Sequence, residues 1–308
     1  MNERRSTFLR RKAPLLLRLA VVALLAGAWE LAARVFVTKV GTSGDPTLPS
    51  IEFLSTHSFR RLSDFWTGGL GAPAPSAGGK ETYWGAVLAV GQASEASLER
   101  VFVGVGIGLV LGLAVGLLTS ASRRARAVMA PPMHFLRMVP FLALAPLFEV
   151  WFGKTDLGAI SFIAYGVSVV MFTGTIGAVS IVPGVFTDRA ATNGASRWAT
   201  YRHVVLPAIV PAMRATVLVA IGLAWTLDVA AEILGTQRGL GVMMDYSLRF
   251  SYTGRVIVVA FIFLVYAAVT YYLVQFLTAA MIRWQPHHEL AVSQPAAVGD
   301  SLPAPPTP

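Results

Sequence analysis

At 308 residues, with 55% hydrophobic and only 13% charged side chains and a mean hydropathy of +0.63, the chain is unlike soluble domains, which carry about 25% charged residues. A net charge of +9 would suggest a nucleic-acid partner in a soluble protein. Between nearly charge-free apolar runs it sets membrane topology instead, and no nucleic acid is expected. The absence of cysteine excludes disulfides, thiolate-zinc sites and cysteine nucleophiles.

Residues 1–13 form a basic N-terminus expected in the cytoplasm, with Arg4, Arg5, Arg10, Arg11 and Lys12 ahead of an apolar run over 14–37. About 20 residues cross the hydrocarbon, so this run can be a first transmembrane helix. Ala26-Gly27-Ala28 also fits a signal-peptide cleavage site. Apolar sequence continuing to Val37 favours a retained helix. Residues 38–97 read as an external region: a possible amphipathic helix over Ile51–Trp66 with an apolar, membrane-surface face, then a Gly/Ala/Pro/Ser-rich flexible insert at Gly68–Gly79.

Residues 98–282 are expected to hold five more spans, making about six in an all-α polytopic membrane protein. In the second span, Leu98–Thr119, Gly104, Gly108, Gly112 and Gly116 recur every four residues. That spacing lines one helix face and suits close packing of membrane helices. A basic loop with Arg123, Arg124 and Arg126 leads to the third span, Val128–Phe152, which contains Pro131, Pro132, Pro140 and Pro146. His134 and Arg137 are expected near its cytoplasmic end, snorkelling to the interface. Gly153-Lys154-Thr155 mimics the end of a phosphate loop, but Phe148 stands at the first glycine position, so a short external turn is the reading. Leu157–Val182 is the fourth span, Leu206–Leu234 the fifth and Arg255–Ile282 the sixth. Residues 283–308 are Pro/Ala-rich and read as a disordered cytoplasmic tail.

Between the fourth and fifth spans lies a polar, basic loop over 183–205. Asn193-Gly194 is a helix stop, so Asp188–Asn193 reads as one short helix and Ala195–Val204 as a second, capped by Ser196. Trp198, Tyr201 and Val205 would share its apolar face. Pro207 and Pro211 suit the first turns of the next helix.

This loop resembles the EAA loop of ABC-importer permeases, written E-A-A, three residues, G, nine residues, I, one residue, L-P. Asp188, Arg189 and Ala190 stand at the E-A-A positions, and Gly194, Val204, Leu206 and Pro207 at the later ones. Arg189 departs from the pattern. The block Gly194-Ala195-Ser196-Arg197-Trp198 is most similar to the branch importing nitrate, sulfonates and taurine. Leu48-Pro49-Ser50, Arg137-Met138-Val139-Pro140 and Gly239-Leu240-Gly241 resemble the same family.

The resemblance implies a type I importer fold and no catalytic residues, cofactor or metal in this chain. ATP hydrolysis would belong to separate ABC ATPase subunits docked on the loop. A second permease copy, identical or paralogous, would complete the channel in the lipid of a bacterial-type inner membrane. An extracytoplasmic solute-binding protein would deliver a small polar or anionic solute. Positive-inside counting agrees with both termini and the loop being cytoplasmic.

Asp228 and Glu232, four residues apart on one face of the fifth span, are the ionisable pair within it. They either line the translocation path or bond to neighbouring helices, and an anionic solute argues for the second. Two other functions are compatible with a polytopic chain. A proton-coupled secondary transporter would use this pair as a relay and show two repeated halves. A polytopic membrane enzyme would need a His/Asp/Glu cluster at a membrane face, which the sequence does not display.

Overall fold

The computed structural model describes residues 2–35, 39–40 and 44–281. The expected tail, 283–308, lies outside the described residues. Helix α1 (Asn2–Val35) covers most of the first expected span. A two-residue antiparallel pair, β1 (Lys39–Val40) and β2 (Asp45–Pro46), follows it. Then α2 (Ile51–Phe53) runs through a π turn at Leu54–Ser58 into a tight helix at Arg60–Phe65. The spanning part comprises α3 (Tyr83–Ala121), α4 (Arg123–Met138), α5 (Phe141–Phe152), α6 (Asp156–Ile181), α7 (Gly184–Thr192), α8 (Arg197–Thr200), α9 (Leu206–Leu234), α10 (Leu240–Arg249) and α11 (Thr253–Met281). Among the described residues, four stretches are long and apolar enough to cross a membrane: Tyr83–Ala121, Asp156–Ile181, Arg197–Leu234 and Thr253–Ala280. The bent pair α4–α5 brings the number to five if its two limbs are counted as one broken span.

Hydroxyl caps begin several of these helices. Thr82 accepts from the Gly85 amide at 3.0 Å, Ser122 from Ala125 at 3.0 Å and Thr155 from Gly158 at 3.4 Å, each satisfying an otherwise orphaned donor. The third expected span is not one helix. It breaks between α4 and α5 with a 100° bend, because Val139 precedes Pro140 and is forced into the extended region (ψ 125°).

The second span also begins earlier than expected, at Tyr83. Ala86, Ala89, Ala93 and Ala96 form a buried stripe on the added turns, against which the 51–66 segment lies with Leu62 fully buried. That segment therefore packs into the core instead of lying on a membrane surface. The 68–79 insert is a closed turn and not a flexible spacer: Gly69 and Ala72 exchange backbone hydrogen bonds, and Trp84 Nε1 donates to the Leu70 carbonyl at 3.0 Å.

The centre of the fold is the α3–α6 pair. A Cβ built on Gly104 falls 2.7 Å from Ile163, on Gly108 2.6 Å from Val167, on Gly112 2.5 Å from Met171 and on Gly116 2.7 Å from Thr175. Both series rise together, so the two helices run parallel, with backbone against β-branched and Met side chains over four turns. Helix α9 returns antiparallel against α6 and is tied to α11 by Trp225 Nε1 donating to Thr270 Oγ1 at 2.9 Å. The outward faces of α3 and α11 expose Val110, Leu118, Phe261 and Phe276, as lipid-facing helices do. One end of the bundle carries the α3–α4 junction and the 182–205 loop; the other carries the 153–156 and 235–253 turns.

Candidate functional site

The 183–205 loop is a helical hairpin. Helix α7 begins at Gly184, one turn before the expected start, and ends in a Schellman motif. Gly194 takes φ +75°, its amide donates to Ala191 O at 3.0 Å, and the Ala195 amide donates back to Ala190 O at 3.0 Å. No side chain crowds the Gly194 Cα, so glycine is there for its backbone conformation alone.

Ser196 caps the second limb as expected, accepting from the Ala199 amide at 3.2 Å. That limb is not a separate helix. Helix α8 passes through a π turn at Tyr201–Val205, closed by the Leu206 amide on Tyr201 O, directly into α9. The extra residue in this turn accommodates Pro207, whose missing N–H falls at the first turn of α9. The hairpin is thus the end of a continuous stretch, Arg197–Leu234.

Within it, Tyr201 and Val205 face the bundle: Tyr201 Oη donates to Leu117 O at 2.8 Å and Val205 is buried. Trp198 does not join them. It is 70% exposed, and so are Val185 and Phe186 by more than half. Asp188, Arg189 and Arg197 are exposed, Ala190 and Ala195 half-buried. The substituted Arg189 accordingly projects from the hairpin and leaves its packing untouched.

Asp228 and Glu232 lie at the opposite end, both fully buried in α9. Between them and α3 sits Arg100, 1% exposed, a partner that sequence reading missed. Its guanidinium meets Asp156 Oδ1 at 2.6 Å, Asp228 Oδ1 at 3.5 Å and Glu232 Oε1 in direct contact, and donates to the Arg238 carbonyl at 2.9 Å. Ser97 Oγ donates to Glu232 at 2.6 Å and accepts from the Leu240 amide at 3.1 Å. The Gly241 amide donates to the other Glu232 oxygen.

Arg238, exposed on the outer turn, pairs with Asp156 Oδ2 at 2.8 Å; that bond raises its pKa, keeping the pair ionised. One cluster therefore ties α3, α6, α9 and the turn into α10. Gly239 and Gly241 are required there, since a Cβ on either would strike the Glu232 carboxylate. The signal available in the sequence was Arg100 itself, a lone cation at the very start of an apolar run. No group of three or more His, Cys, Asp or Glu able to hold a metal ion occurs among the described residues.

Residues 104–283 match the family described as binding-protein-dependent transport system inner membrane component. The chain belongs to this family. It is a permease subunit of an ABC importer, a multi-pass inner-membrane protein; the ATPase of such a system is a separate chain, and a solute-binding protein is its other partner.

A Bacillus subtilis (strain 168) permease protein named for aliphatic sulfonates transport is 30% identical over 63% of this permease and 70% of its own length. An Escherichia coli (strain K12) protein named for the same transport is 28% identical over 92% and 95%. The taurine transport system permease protein of E. coli (strain K12) is 30% identical over 50% and 56%. In fold, the permease is similar to a chain of the MetNI methionine ABC transporter in an inward-facing conformation, with a TM-score of 0.51 at 23% identity, covering 61% of this chain and 92% of that one. The secondary-transporter and membrane-enzyme alternatives are thereby set aside.

Proposed function

We propose that this permease, paired with a second copy of itself, forms the translocation path for a small sulfonate-like anion, and that the 183–205 hairpin is its contact with the ATPase. The observation carrying the second part is continuity. The hairpin presents Val185, Phe186 and Trp198 uncovered, and its second limb runs without a break into α9. A push on the exposed knobs moves a helix that crosses the whole membrane. Closure of the ATPase pair on ATP would supply that push by binding one state of the permease better than the other. The loop end and both termini then lie in the cytoplasm, and the Arg100 cluster faces the binding protein.

The solute class rests on the relatives named for taurine and aliphatic sulfonates and on the burial of Asp228 and Glu232. Buried with Arg100, these carboxylates act as scaffold at the outer end and do not line the path, which keeps them away from the anion.

The test is co-expression with the cognate ATPase and binding protein. Trp198→Ala should leave the permease folded, since the ring touches little, yet weaken ATPase co-purification and abolish ATP-dependent uptake. Gly194→Asn, which tolerates positive φ, should retain uptake, while Gly194→Val should lose it. Retained ATPase binding and uptake in both Trp198→Ala and Gly194→Val would remove the hairpin from the coupling role.

A further inference from the structure

One opening among the described residues combines a free cation with a free hydroxyl. It has a volume of about 340 Å³ and lies between α4, α6 and α9, lined among others by Arg137, Thr173, Gly174, Ala215, Thr216 and Val219. That volume lies within the range of small-molecule sites. Arg137 stands on the last turn of α4, immediately before the 100° bend, and the break directs it to the α6–α9 wall instead of letting it snorkel at the loop end.

Its depth follows from helix rise: Thr216 is ten residues into α9 and Gly174 seven residues from the end of α6, so the opening sits roughly 10–15 Å from the loop end of the bundle. Charge at that depth is costly unless it faces water or a partner. Among the described residues Arg137 has no ion pair or hydrogen bond, and Thr216 Oγ1 has none either. Thr173 is different; its hydroxyl is already committed to the Val169 and Val170 carbonyls. No carboxylate lines the opening. What remains is a guanidinium with five N–H donors and one hydroxyl donor, beside the small walls of Gly174 and Ala215. That donor set is complementary to an oxyanion.

We propose that this opening is a binding station for the anionic head of the solute within the membrane, with Arg137 and Thr216 as its recognising groups. The assignment rests on the sulfonate-like reading of the solute above and adds where the anion is held.

The intact complex, reconstituted in proteoliposomes with its ATPase and binding protein, is assayed for ATP-driven uptake of radiolabelled taurine and an alkanesulfonate. Loss of charge-assisted bonds should lower uptake by Arg137→Gln at least tenfold, and by Thr216→Val several-fold, with Arg137→Lys intermediate. ATP hydrolysis stimulated by the loaded binding protein should persist in all three, raising the ATP spent per solute moved. Should Arg137→Gln fail to assemble with the ATPase, Thr216→Val decides by the same ratio. Wild-type uptake by the assembled variants overturns the station and leaves the solute reading standing. A wild-type complex that moves no sulfonate overturns both.

Discussion

Glu232 and Asp228 are both buried in the same cluster, yet they are held very differently. Glu232 accepts from Ser97, Arg100 and the Gly241 amide, whereas both Asp228 oxygens lack a hydrogen-bond donor and face Arg100 only as an ion pair at 3.5 Å. The cluster sets two cations, Arg100 and Arg238, against three carboxylates, Asp156, Asp228 and Glu232. Asp228 is therefore the least satisfied of the three. Substituting Glu232→Gln forces an amide NH₂ against the Arg100 and Ser97 donors or against the Gly241 amide. Breaking a buried pair in this way should cost roughly 3–5 kcal/mol. Asp228→Asn unmakes no hydrogen bond and should cost under about 1 kcal/mol. Thermal unfolding of the detergent-solubilised permease ranks the two, and a larger loss for Asp228→Asn would mean that the Asp228–Arg100 pair holds the cluster.

At the scale of elements, the α3–α6 contact makes opposite predictions for neighbouring glycines. Gly108 and Gly112 meet Val167 and Met171 through backbone-to-side-chain contacts, so Gly108→Val must separate two helices packed over four turns. Overpacking of that kind costs about 1–3 kcal/mol or more, and the variant should be depleted from membranes. Gly106→Val, two residues away, points into open space and should express normally; equal depletion of both would show that the stripe is not a packing seam. The four-residue spacing made this seam legible before any fold was known, since only the glycine side of it has a pattern. Its partner could not be read, because α6 is apolar all round and Ile163, Val167, Met171 and Thr175 look like any other membrane residues. Likewise, Asn193-Gly194 and Ser196 carried their turn chemistry in the chain, and the Schellman motif and cap formed where they stood. The α4–α5 bend was also written locally, in Val139-Pro140, but four prolines in one run concealed which of them breaks the helix. The Arg100 cluster and the Arg137 opening join residues on different helices, Arg100 to Glu232 and Arg137 to Thr216 among them, and no local pattern announces such meetings.

For the molecule as a whole, the distribution of Lys and Arg bears on the orientation proposed above. At the hairpin end, Arg124, Arg126, Arg189, Arg197 and Arg202 have no carboxylate partner among the described residues. At the other end, Lys154 pairs with Glu149 at 3.9 Å, Arg238 with Asp156 at 2.8 Å and Arg249 with Asp245 at 2.7 Å. The positive-inside rule counts Lys and Arg in short loops whether or not a carboxylate pairs with them. These five arginines against three basic residues at the other end support the proposed cytoplasmic placement of the hairpin, within reach of an ATPase. The lack of cysteine makes a direct measurement simple, because single-cysteine variants need no prior removal of native thiols. Trp198→Cys and Gln237→Cys both sit at exposed positions, one at each end. A membrane-impermeant maleimide should label Trp198→Cys only in inverted vesicles and Gln237→Cys only in right-side-out ones. Bound ATPase should protect Trp198→Cys alone. Labelling of Trp198→Cys from the outer side would turn the molecule over, and with it the role given to the hairpin, because no cytoplasmic motor could then grip it.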